Sequence, residues 1–159
     1  MHSRIFQVSS KPVDRDNYIS ESNYYDGWFV GSVADYVADV EEEDQKDSID
    51  WLDKYAAGSL KIEGNKVTVI NKEEFFRRDY DNFIKALDDL KNITLNQFTT
   101  GKGDLDLNVY RLNSAYEDRY GFYVDDCGEY GGLMTINEFM RTKKDGDVFY
   151  IGGVVDYHS

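Results

Sequence analysis

The stretch from Leu60 to Lys91 limits the possible folds more than any other. Leu60-Lys61-Ile62-Glu63 and Lys66-Val67-Thr68-Val69-Ile70 are two β-type runs on either side of Gly64-Asn65, a two-residue hairpin signal. Asn71, with Glu74 three residues on, then resembles a capping box in which Asn replaces the usual Ser or Thr. The spacing predicts a helix over Lys72–Lys91 with Phe76, Tyr80, Phe83, Ile84, Leu87 and Leu90 on one face. Its other face carries Arg77, Arg78, Asp81, Lys85, Asp88 and Asp89, a mixed solvated surface. A long one-sided helix straight after a hairpin has to pack on a sheet.

The remaining punctuation extends that picture. Ile5-Phe6-Gln7-Val8 reads as a first strand, closed before Pro12, the single proline. Val13 to Gly27 has no period and reads as a loop or a partly helical crossover. Trp28, Phe29, Val33, Tyr36, Val37 and Val40 recur at helical spacing, which predicts a helix with Asp35 and Asp39 outward. Glu41 to Asp47 reads as a charged connector, and Asp47 or Ser48 as the cap of a short helix, Ile49 to Ala57, stopped by Gly58.

Beyond the long helix, Leu95 and Phe98 suggest one helical turn. Leu105, Leu107 and Val109 alternate as in a strand, Ser114 to Asp118 turns, and Arg119 to Val124 returns as a second strand. Asp125 to Gly132 reads as a loop, Leu133-Met134 as extended, and Thr135-Ile136-Asn137-Glu138 as a capping box for a brief helix through Arg141 or Thr142. Asp145-Gly146 turns the chain into a last strand, Val148 to Val155, where Gly152-Gly153 marks a bulge or a close approach. The expectation is one α+β domain over residues 1–159: an antiparallel sheet of five or six strands packed by helix 72–91 and shorter helices.

Charge is distributed unevenly. Between Val33 and Tyr55 stand Asp35, Asp39, Glu41, Glu42, Glu43, Asp44, Asp47, Asp50 and Asp53 against only Lys46 and Lys54, over half of the chain's net charge of −13. A pI near 4.5 excludes direct nucleic-acid binding and anionic membranes, since both affinities come from Lys and Arg. The same field attracts basic surfaces, including those of proteins that hold nucleic acid. Thirteen tyrosines add rings with polar tips suited to half-buried positions.

Candidate chemistry is sparse. His2 and His158 lie near the ends of the sequence, where a catalytic base is not expected; if the ends met, the two could share a metal. Cys127, the single cysteine, sits among acids that suppress its thiolate and excludes a disulfide framework. Asp125, Asp126 and Glu129, or Asp104 and Asp106, are carboxylate pairings without EF-hand spacing. Gly101-Lys102-Gly103 and Gly128, Gly131 and Gly132 lack the context of a phosphate loop. No signal peptide and no run of about 18 apolar residues is visible, so a cytoplasmic protein is expected.

The reading is therefore an interaction module and not an enzyme, with no catalytic residue, metal or cofactor. Its partner-binding residues are Asp35, Tyr36, Asp39, Glu41, Glu42, Glu43, Asp44, Asp47, Asp50 and Asp53. Acids three or four positions apart on a helix stand about 5 to 6 Å apart, a spacing that imitates a row of phosphates. In composition and size the chain resembles the DNA-mimic and anti-defence proteins of phages and mobile elements. That resemblance implies an inhibitor or regulator docked on a basic, nucleic-acid-binding protein or nuclease. The alternatives are a carboxylate- or divalent-metal-dependent enzyme, marked by a deep pocket of converging acids away from residues 33–55, and an oligomerising module with an aromatic patch.

Overall fold

The computed structural model describes residues 1–129 and 131–159. Its strands are β1 (His2–Ser9), β2 (Tyr36–Asp39), β3 (Leu60–Glu63), β4 (Lys66–Val69), β5 (Tyr123–Asp125), β6 (Leu133–Thr135) and β7 (Val148–His158). They form one sheet in the order β3-β4-β7-β1-β5-β6. The long β7 is shared on one side by two short strands: β4 takes Val148 to Tyr150, and β2 takes Val155 to His158. Every pairing is antiparallel except β1 with β5. The helices are α1 (Glu42–Ala56), α2 (Lys72–Lys91), α3 (Leu95–Thr100), α4 (Leu105–Glu117) and α5 (Ile136–Arg141). This is the expected α+β architecture, and β2 takes the sheet to seven strands.

Alternation along the central strands divides the interior in two. Phe6, Val8, Val124, Ile151 and Val154 face the larger cluster, completed by Leu52 and Ala56 of α1, Phe75 of α2, and Phe139 and Met140 of α5. Ile5, Tyr123, Val155 and Tyr157 face the other, which the irregular chain between β1 and β2 closes with Ile19, Tyr24, Phe29 and Val33. Ile151 and Val154 are three apart yet share a face because the register shifts between Phe6 and Val8, where Gly152-Gly153 forms the expected bulge.

Gln7 fills that bulge. It is 5% exposed, and its Oε1 accepts from the amides of Ile19 (3.2 Å) and Gly153 (2.8 Å). Its Nε2 donates to the carbonyl of Asn17 (2.9 Å) and approaches Cys127 Sγ (3.4 Å). A Cβ on Gly152 would stand 2.5 Å from Gln7 Oε1, and one on Gly153 2.9 Å from the backbone nitrogen of Ile19. Glycine is needed because the crossover chain lies directly on the sheet at this point.

Local chemistry explains the elements that match expectation. Gly64 takes φ 63° in the β3–β4 turn. Asn71 Oδ1 accepts from the Glu74 amide (3.1 Å) at the start of α2, and Thr135 with Glu138 forms the reciprocal box that starts α5.

Four expectations are corrected. Residues 33–40 are not helical: Tyr36–Asp39 is β2, because the outer edge of β7 needs hydrogen-bonding partners there and Val37 is buried at 1% exposure. The region around Glu41 to Asp47 is no connector, since α1 starts at Glu42 with Glu42, Glu43 and Asp44 in its first turn, where the helix dipole favours acids; Ala57, in the left-handed conformation, ends it. Leu105 to Glu117 is helix α4, not a strand with a turn; Leu105, Asn108, Leu112 and Ala115 recur at helical spacing on its less exposed side, while Leu107 and Val109 remain exposed. On α2 the deepest residues are Phe75 and Ala86, whereas Tyr80 is 57% exposed.

Candidate functional site

All ten residues expected to bind a partner are exposed, but the structure divides them. Asp35 and Tyr36 stand at the end of β2 farther along the chain from α1. There Tyr36 stacks on His158 (5.3 Å, 3°) and Asp35 Oδ2 lies 3.4 Å from His158 Nδ1, near enough for an ion pair though not aligned as a hydrogen bond. Asp39, at the other end of β2, accepts from the Glu21 amide (2.7 Å). Glu41 is the residue before α1, and the remaining six lie on α1.

The solvent side of α1 is the densest part of the set. Glu43, Asp47 and Asp50, with Lys54, follow one strip at helical spacing, and rises of about 6 and 4.5 Å separate the three acids along the axis. Glu42 is paired with Arg15, whose guanidinium holds the carboxyl below the usual range. Among the described residues, Glu41, Glu43, Asp44, Asp47, Asp50 and Asp53 have no ion-pair partner. These six carboxylates stabilise no tertiary contact, apart from the favourable interaction of the first-turn acids with the helix dipole. Serine and apolar side chains anchor the opposite side: Ser48, Leu52 and Ala56 are buried, and Arg4 Nε donates to Ser48 Oγ (2.9 Å). The row is therefore carried on a rigid scaffold.

Reading the sequence did not find the second site. Helix α4 runs back along α2, bringing Tyr116 to Phe83 (ring centroids 6.4 Å apart), and the two helices bound a cleft of about 580 Å³. Its walls include Arg78, Lys85 and Asp89, which the sequence assigns to an ordinary solvated surface. At one end Asp118, in the left-handed conformation (φ 43°) after α4, lies beside Asp79 of α2. Burial pushes the Asp118 carboxyl up, the Asp79 charge adds to this, and Arg78 opposes it. Gly121 leaves room for the carboxylate, which a Cβ would strike.

Around this pair the polar groups are incompletely matched. Asn137, fully buried, donates Nδ2 to Asp79 Oδ2 (3.1 Å), but its Oδ1 has no hydrogen-bond partner among the described residues. The Tyr55 hydroxyl, raised by burial and by both aspartates, interacts with Asp118 and Arg78 without strict hydrogen-bond geometry, and Arg78 lies over its ring at 4.6 Å. Converging acids with a raised carboxyl, mostly outside residues 33–55, are the geometry named above for the enzymatic alternative.

Other candidates resolve into structural roles. Asp126 Oδ1 accepts from the amides of Gly128 (2.9 Å) and Gly132 (2.8 Å), Asp125 from Cys127 (2.8 Å) and Tyr24, and Glu129 from Ser10, so these acids fasten their own loop. Asp104 and Asp106 belong to the start of α4. Cys127 is raised chiefly by burial, with Asp125, Asp126 and Glu129 adding to it. His2 and His158 pair across β1 and β7 with rings 5.1 Å apart, and His2 Nδ1 lies 2.7 Å from Asp156. Among the described residues no group of three or more His, Cys, Asp or Glu side chains is placed to hold a metal ion, and no helix is long and apolar enough to cross a membrane. Comparison of the chain with protein-family models, with curated proteins and with solved structures finds no match.

Proposed function

We propose that the protein is an acidic interaction module that docks the solvent side of α1 on a basic protein surface, as an inhibitor or regulator of a nucleic-acid-binding protein. One observation carries this reading: six carboxylates without ion-pair partners stand along or just before a single rigid helix. Preordered charge of one sign costs little entropy on binding and steers a basic partner into place. Tyr36 and Asp35, at the far end of β2, form a separate accessory patch.

The test compares the wild type with Glu43→Lys/Asp47→Lys/Asp50→Lys as baits in a low-salt pull-down eluted by rising salt. The expected catch is a protein retained by the wild type only, released as salt screens the contact, and blocked from nucleic acid by the wild type. An identical catch on both baits overturns the reading.

A carboxylate-dependent enzyme is the second reading, and the cleft favours it. A buried carboxyl with a raised pKa beside a second carboxyl group is a pairing used in general-acid chemistry. Turnover on a panel of chromogenic ester, phosphate and glycoside substrates, lost in Asp118→Asn and kept in the α1 variant, would support it. No turnover across the panel, or turnover that survives Asp118→Asn, removes it.

A further inference from the structure

The α2–α4 cleft separates its charges by sign. Asp79 and Asp118 stand with Arg78 at one end, two carboxyl groups to one guanidinium. At the other, Lys85 and Arg111 face the single acid Asp89, leaving one excess positive charge. Asp79 and Lys85 are six residues apart on α2, so the two ends are about 9 Å apart along the axis. Between them the walls contain Ala86 and Ala115, small apolar side chains that leave room for a methylene stem.

We propose that this cleft binds a linear zwitterion of the size of lysine or arginine, its cationic head at Asp79 and Asp118 and its carboxylate at Lys85 and Arg111. The ammonium and carboxylate of extended lysine are about 7 to 8 Å apart over bonds of about 1.5 Å, and the flexible ends of Lys85 and Arg111 close the remainder. Asn137, buried outside the lining, donates Nδ2 to Asp79 Oδ2 (3.1 Å) and so holds that carboxylate in place. A cationic head offsets the repulsion between the two aspartates at this end. A free amino acid and a basic residue at the carboxyl end of a peptide present the same chemistry. The site does not depend on the acidic side of α1.

The experiment is an amide-resolved NMR titration of the full chain with L-lysine, L-arginine, 6-aminohexanoate, pentylamine, hexanoate and a short peptide ending in lysine. The two-ended ligands are expected to give saturable shifts confined to residues 78–89 and 110–118, and the one-ended ligands to bind at least about tenfold more weakly. Binding by free lysine but not by the peptide identifies the free amino acid as the ligand; the reverse identifies a chain terminus. Asp118→Asn, with Asn well suited to the left-handed conformation, and Arg111→Gln, at an exposed position, should each weaken lysine by about tenfold or more from opposite ends. No saturable shift up to about 10 mM, equal affinity for one-ended ligands, or undiminished affinity in both variants overturns the proposal.

Discussion

Replacing Gln7 by leucine should strongly destabilise this protein, although leucine is apolar and of similar bulk. The side chain serves three backbone groups: the amides of Ile19 and Gly153 and the carbonyl of Asn17. Leucine would leave all three without that partner at a site where Gln7 is 5% exposed and Gly153 adjoins backbone, so water has no clear access. Each buried unsatisfied group costs about 1 to 3 kcal/mol, so partial relaxation still leaves a loss of about 3 to 5 kcal/mol. A domain of this kind has only about 5 to 15 kcal/mol in total. With a urea dependence of about 2 kcal/mol per molar, the unfolding midpoint should fall by roughly 1.5 to 2.5 M. Hydrogen exchange gives a residue-level check, since the Ile19 and Gly153 amides should lose their protection before the rest of the sheet. A midpoint shift below about 0.5 M at unchanged slope would refute the reasoning, because the crossover chain would then be held by its apolar contacts alone.

Asp118→Asn should become more stabilising relative to the wild type as pH rises. The folded carboxyl has a raised pKa, so its contribution is complete below the ordinary carboxylate pKa of about 3.9 and is lost as pH climbs through the folded value. Asparagine cannot ionise and does not suffer that loss; urea curves at acid and neutral pH measure the difference, and a pH-independent difference refutes the assignment. Tyr25→Phe should cost about 1 kcal/mol by removing the hydroxyl that donates to Val37 O (2.8 Å) and accepts from Val37 N (3.3 Å) along the open edge of β2. The bared edge should also raise concentration-dependent association in light scattering, and unchanged scattering would show that the hydroxyl does not guard it.

What the sequence discloses depends on how local the cause is. The Gly64-Asn65 turn, the Asn71 cap, the Thr135-Glu138 box and the glycine pair in β7 are each fixed by chemistry within a few residues, and each was legible. Strand β2 was not, because Val33, Tyr36, Val37 and Val40 fit a helical stripe and only pairing with the distant end of β7 decides otherwise. The alternation of Leu105, Leu107 and Val109 misled for a related reason: the face that α4 buries is chosen by α2. For α1, a run of acids has no apolar period to mark its start, yet acids in a first turn are favourable. The acidic residues were legible as composition, though their division between β2 and α1 was not. The Asp79–Asp118 pairing was invisible, since it brings together one helix and the turn after another, which no local spacing relates.

The adjacency of β1 and β7 also sets when the protein can fold. The first and last strands of the sheet are the two central ones, so during synthesis β1 has to wait for its main partner until everything between Ser9 and Val148 has been made. Pairing across so great a sequence distance is entropically slow, and in that interval Phe6, Val8 and Ile5 have no finished sheet to be buried in. A ribosome-bound chain stopped before Val148 would be missing the middle of the sheet and not merely an edge. The hazard of aggregation therefore lasts from the emergence of β1 until β7 has been made.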